Sequence, residues 1–138
     1  MDDVLLNKAA IIERCLQRIA EEYQGHEDEL ETNFTRQDAI VLNLQRACEA
    51  GIDAALHLVR RHRLGVPQSG REAFTLLERA GLLPADLAGE MKKMVGFRNI
   101  VVHAYQEISL PVLRAIVEKQ LDDLRGFARW LIAAADRS

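Results

Sequence analysis

Aromatic residues make up only 5% of this chain, and 138 residues include just three prolines. A β-sandwich fills its core with aromatic and β-branched side chains and punctuates its strands with turn residues. Both shortages therefore argue against that class and for helices. Cysteine is scarce too. Cys15 and Cys48 are the two in the chain, and neither belongs to a CxxC pair. That removes a disulfide framework and leaves two buried thiols in a reducing compartment as the expectation. No apolar run approaches the roughly 20 residues that cross a bilayer. The opening MDDVLLNK lacks the basic start and apolar core of a secretory signal, so a cytoplasmic protein with no membrane association is expected. Positive charge is not in excess either, the net charge being −3. Any nucleic-acid contact must then use a local patch and not a global field.

Apolar residues account for 49% and charged residues for 28%, which is the profile of a folded globular chain of one domain, residues 1 to 138. The apolar positions recur at helical spacing. Leu5, Ala9, Ile12, Leu16, Ile19 and Tyr23 form one stripe and predict a first helix from about Asp3 to Tyr23. A second is predicted from Thr35, with Thr35 and Asp38 as its cap, to about His62. Its stripe of Ile40, Leu44, Ala47, Gly51, Ala55 and Leu58 has small residues in the middle, where a neighbour can approach closely. Ser69 with Glu72 forms a capping box for a short third helix that Gly81 stops. Pro84 suits the first turn of a fourth. Ser109 and Pro111 open a fifth, whose stripe runs through Leu113, Ile116, Val117, Leu121, Leu124, Ala128 and Leu131. Four long helices and one short one predict an all-α, up-and-down four-helix bundle.

One stretch departs from this plain pattern. GFRNIVVHAY, residues 96 to 105, sets Arg98, Asn99, His103 and Tyr105 around three β-branched apolar residues. On a continuous helix Asn99 and His103 share a face and Arg98 and Tyr105 share the next, and packing through Ile100 and Ala104 would set all four on one rim. Taken alone, an Arg and a His near a helix end serve equally to bond carbonyls or solvent. As chemistry, the set suits phosphodiester cleavage. An imidazole titrates near neutral pH and serves as base or acid. A guanidinium forks onto phosphate oxygens. Asn99 can orient the imidazole or bond the phosphate.

MVGFRNIVVHAYQEI, residues 94 to 108, resembles the R-x4-H-x-Y signature of the HEPN superfamily, and specifically the HepT toxins of toxin–antitoxin pairs. REAFTLLERAGLL upstream and the amphipathic last helix are similar to that family as well. The resemblance implies a helical-bundle endoribonuclease, the toxin of a type VII-like pair, that works without a metal or other cofactor. It implies Arg98 and His103 as catalytic residues with Asn99 in support, and RNA attacked through its own 2′-hydroxyl. It also implies a homodimer with the site across the interface. Its partner would be a nucleotidyltransferase antitoxin of the MNT family that AMPylates Tyr105. The residue-level alternative for Tyr105 is stacking on RNA or packing in the interface.

Lys92 and Lys93 lie one turn before the motif and are the better candidates for guiding RNA. Arg60, Arg61 and Arg63 in VRRHRLG either complement the negative end of the second helix or contact RNA phosphates. The acidic run Glu27 to Glu31 is a solvated segment or an antitoxin contact. His57 and His62 are poorly spaced for a metal on a helix, His26 stands alone, and there is no Glu-x-x-His pair or P-loop. The rival to an enzyme is a non-catalytic helical module that binds a minimal nucleotidyltransferase or its substrate.

Overall fold

Six α-helices and two single turns of 3-10 helix make up residues 1 to 137, which the computed structural model describes, with no strand among them. Ser138, the last residue of the expected domain, lies outside the described residues. The helices are α1 (Asp3–Tyr23), α2 (Phe34–Arg61), α3 (Gly70–Arg79), α4 (Ala85–His103), α5 (Leu110–Lys119) and α6 (Leu121–Asp136). The all-α expectation holds, with one helix more than the stripes predict.

Contacts between the ends of elements fix the topology. Asp2 caps α1, accepting from the Val4 and Leu5 N–H groups. The same carboxylate takes His57 Nε2 at 2.8 Å and Arg61 Nη1 at 3.1 Å from the last turns of α2. At the other end Arg36 of α2 reaches Glu22 of α1 at 3.5 Å. α1 and α2 are therefore an antiparallel pair. α4 runs back along α2, with Met91 beside Gly51 and Tyr105, just past its end, beside Asp38. α6 closes the bundle against α1, and its Trp130 Nε1–H donates to the Leu82 carbonyl at 3.2 Å. Burial alone would raise the Asp2 carboxyl. The bonds from His57 and the Leu5 N–H, with Arg61, outweigh it and hold the group below its ordinary value.

Every residue of the α1 stripe and of the α2 stripe is buried. Gly51 sits where a Cβ would come within 2.9 Å of the Met91 methyl and 3.5 Å of the Phe127 ring. The small residues in the middle of α2 thus admit α4 and α6 at close range. Phe127 meets Phe74 edge-on at 5.6 Å and stacks on Trp130 at 5.7 Å, joining α3 to α6.

The structure corrects several expected boundaries. Asn33, not Thr35, caps α2, its side chain accepting from the Arg36 N–H at 3.2 Å. Pro84 is the cap residue of α4 and not a first-turn residue, which its missing N–H permits. Ser69 accepts from the Glu72 N–H and Gly81 has φ +75°, both as expected. The fifth stripe is buried throughout, but its helix is broken at Gln120 into α5 and α6. No Gly or Pro marks that break, so only the stripe was legible. Among the described residues no helix is long and apolar enough to cross a membrane.

Candidate active site

α4 carries the motif, and its register decides which side chains turn inward. Met91, Met94, Val95, Phe97 and Val101 are buried. Ile100 and Val102 are exposed at 47% and 44%. The expectation that Ile100 and Ala104 pack inward is therefore wrong, because Phe97 and Val101 at i and i+4 take the core face. The helix then ends at His103. Ala104 leaves it at φ −151° and ψ 54° while its N–H still closes on the Ile100 carbonyl. Tyr105 begins a separate 3-10 turn, Tyr105–Glu107. Arg98 and Tyr105 consequently do not share a helical face.

Arg98 and Asn99 are brought together, Arg98 Nη1 donating to Asn99 Oδ1 at 3.2 Å. Arg98 Nη2 stands 4.0 Å from Glu49 Oε2 of α2. The Arg98 side chain is 30% exposed, and its buried Nε–H has no acceptor among the described residues. The stem is thus clamped while the fork retains unused donors. Both residues line a cavity of about 390 Å³ between α2, the start of α3 and α4, with Glu49, Ile52, Asp53 and Arg71. Arg71 was not singled out from the sequence. Its Nε–H donates to the Lys92 carbonyl at 3.3 Å, and a Cβ on Gly96 would lie 2.5 Å from its Nη2. Gly96 therefore leaves the room that lets a second guanidinium lie across α4 at the cavity that Arg98 also lines.

His103 is exposed at the last turn of α4, one turn beyond Asn99 and on its face, so this part of the helical reading stands. Lys92 pairs with Glu78 at 3.5 Å and Lys93 with Glu90 at 3.1 Å, both on the surface. Tyr105, 42% exposed, donates from its hydroxyl to Asp38 Oδ1 of α2. Burial, and then the Asp38 carboxylate, push the phenol up to about 12. Its ring borders a second cleft of about 300 Å³ with Phe34, Val41, Ile108 and Leu113. Asp38 appears in the sequence reading only as a cap partner. Its contact across 67 residues carries no local signal.

Several other polar groups tie elements of the scaffold together. Arg61 and His57 both bond Asp2. In the acidic run, Glu31 pairs with Arg114 of α5, and Glu29 with His26 and Arg36. Cys15 and Cys48 are free and buried, and burial pushes the Cys48 thiol up to about 12. Such thiols stay protonated and are poor nucleophiles. No group of three His, Cys, Asp or Glu side chains among the described residues is placed to hold a metal ion.

Residues 12–131 match the family described as Ribonuclease HepT-like. The chain belongs to the HepT-like ribonuclease family. The mRNA nuclease HepT of Shewanella oneidensis is 46% identical to it over 127 residues, 92% of this chain and 95% of that protein. Among solved structures, the tri-AMPylated HEPN toxin of Shewanella oneidensis in complex with MNT antitoxin aligns with a TM-score of 0.90 at 45% identity. That alignment covers 96% of this chain and 99% of the other. A crystal structure of a toxin–antitoxin with AMP-PNP aligns equally well, with a TM-score of 0.90 at 44% identity over the same shares. The bundle is thus a HEPN-type fold, and the family's activity makes this HepT-like chain an endoribonuclease.

Proposed function

We propose that this chain is the toxin of a toxin–antitoxin pair and cleaves cellular RNA through Arg98 and His103. The observation that carries the reading is one helix, α4, presenting both groups. Arg98 is clamped beside Asn99 at a cavity with unused donors. His103 stands exposed one turn past Asn99. The family and its toxin relatives support the same role.

Cleavage needs three things, and the chain's own groups meet them. His103 takes the proton from the ribose 2′-hydroxyl as that oxygen attacks phosphorus. Arg98, with Arg71 beside it, forks onto the non-bridging oxygens as charge builds there. The 5′-oxygen leaves with a proton from the protonated imidazole of a second His103, giving a 2′,3′-cyclic phosphate and a 5′-hydroxyl. This route uses no metal. Asn99 holds the Arg98 fork, and Lys92 and Lys93 draw the RNA backbone toward α4.

Each chain offers one His103, whereas the two proton transfers proceed best with two imidazoles. A two-fold homodimer through the last turns of α4, where Ile100 and Val102 both stand exposed, brings two Arg98 and two His103 into one cleft. The antitoxin is a nucleotidyltransferase of the MNT class that adds AMP to Tyr105. A phosphate ester there repels RNA phosphate and fills the cleft mouth. The exposure of Tyr105, two residues past His103, supports that reading. An RNA substrate and such a partner go with a cytoplasmic location.

Expression in a bacterial host tests the proposal. Wild type should arrest growth, while Arg98→Ala and His103→Ala, accumulating to equal levels, should not. Equal toxicity of all three would remove these residues from the active site. A harmless wild type would remove the toxin reading.

A further inference from the structure

We infer that Asp38 is the general base for nucleotidyl transfer onto Tyr105, so that the chain supplies part of the chemistry of its own silencing. The inference rests on the modification of Tyr105 proposed above.

Asp38 lies in the second turn of α2, and Tyr105 begins the 3-10 turn after α4. The Tyr105 hydroxyl donates to Asp38 Oδ1. Among the described residues no other acceptor bonds that hydroxyl. The ring rests against a cleft walled by Phe34, Val41, Ile108 and Leu113, yet the residue stays 42% exposed. A partner's nucleotide can therefore reach the oxygen while one lone pair and the proton remain organised by Asp38. Burial and the neighbouring carboxylate keep the phenol protonated, with its pKa near 12. Phenolate is then scarce at neutral pH, and the proton must leave during the attack. A carboxylate already accepting it is the group placed to do so.

The step balances as follows. Tyr105 Oη forms a bond to the α-phosphorus of a nucleoside triphosphate held by the partner. The bond from that phosphorus to the bridging oxygen breaks, and pyrophosphate leaves with the electron pair. The phenolic proton passes to Asp38 Oδ1 and then to solvent. The product is a phosphodiester with no proton to return, so the Tyr105–Asp38 bond is not remade.

The alternative role for Asp38 is a simple tether for the turn, and substitution separates the two. Asp38→Asn retains an acceptor oxygen for the hydroxyl but cannot take its proton. Asp38→Glu retains the base. The measurement is the single-turnover rate of adenylate addition, followed by intact mass with the cognate nucleotidyltransferase, ATP and magnesium. Circular dichroism establishes that each variant is folded. Asp38→Asn should slow transfer by about a hundredfold or more with the ATP dependence unchanged, and Asp38→Glu should recover part of the rate. An Asp38→Asn rate equal to wild type would overturn the inference and leave modification of Tyr105 standing. Wild type that gains no adenylate, or gains it on Tyr105→Phe as well, would overturn that modification and the inference with it.

Discussion

Arg98 and Arg71 show how much a site depends on what a neighbouring residue lacks. The Arg71 guanidinium lies over Gly96, in space that a Cβ would enter to 2.5 Å. Alanine is favoured over glycine by about 1 kcal/mol inside a helix, and Arg71 has a flexible end that can swing away. Gly96→Ala should therefore leave stability unchanged or slightly raised. It should also weaken RNA binding by roughly fivefold, about 1 kcal/mol for one displaced charged contact. Thermal unfolding together with KM and kcat on one RNA checks this, and an unchanged KM would remove Arg71 from the substrate path. Arg98, Asn99 and His103 could be proposed from the sequence because the motif is contiguous, and the structure places all three on one helix. Arg71 and Asp38 were not. They reach the site across 21 and 67 residues, through contacts that leave no periodic trace.

At the scale of elements, chemistry local to a turn was legible and chemistry supplied by packing was not. Ser69, Gly81 and Ser109 act where their side chains or their φ demand, and each end was placed from two or three residues. Buried stripes were equally plain, since spacing alone assigns a core face. Helix ends without a breaker were hidden. Gln120 parts α5 from α6 although the apolar stripe runs straight through. α4 stops at His103, and Tyr105 is held by a bond to another helix as well as by its own turn. The inward face of α4 was misassigned for a related reason. In a helix apolar on several sides, Ile100 and Val101 look alike until the partners are known. Two exposed β-branched residues beside the proposed catalytic groups are what that assignment concealed.

Over the whole molecule, the bundle keeps polar ties at its ends, and the proposed chemistry lies on α4 and the turn that follows it. Asp2, His57 and Arg61 lock one end, while Tyr23, Arg114, Glu31 and Glu118 lock the other. Neither network meets the motif. The edge carrying Arg98, His103 and Tyr105 also carries Ile100 and Val102 in the open, and a second copy of this chain covers them in the proposed assembly. Light scattering should give the mass of a dimer for the wild type, and Ile100→Glu with Val102→Glu should give a folded monomer of much reduced activity. A fully active wild-type monomer would contradict the shared cleft. The chemistry of the cut itself bears most directly on the account. Purified wild type, incubated with RNA and a metal chelator, should leave 2′,3′-cyclic phosphate and 5′-hydroxyl ends, and His103→Ala should leave none. Loss of wild-type cleavage in the chelator, 3′-hydroxyl ends, or an equally active His103→Ala would contradict the mechanism.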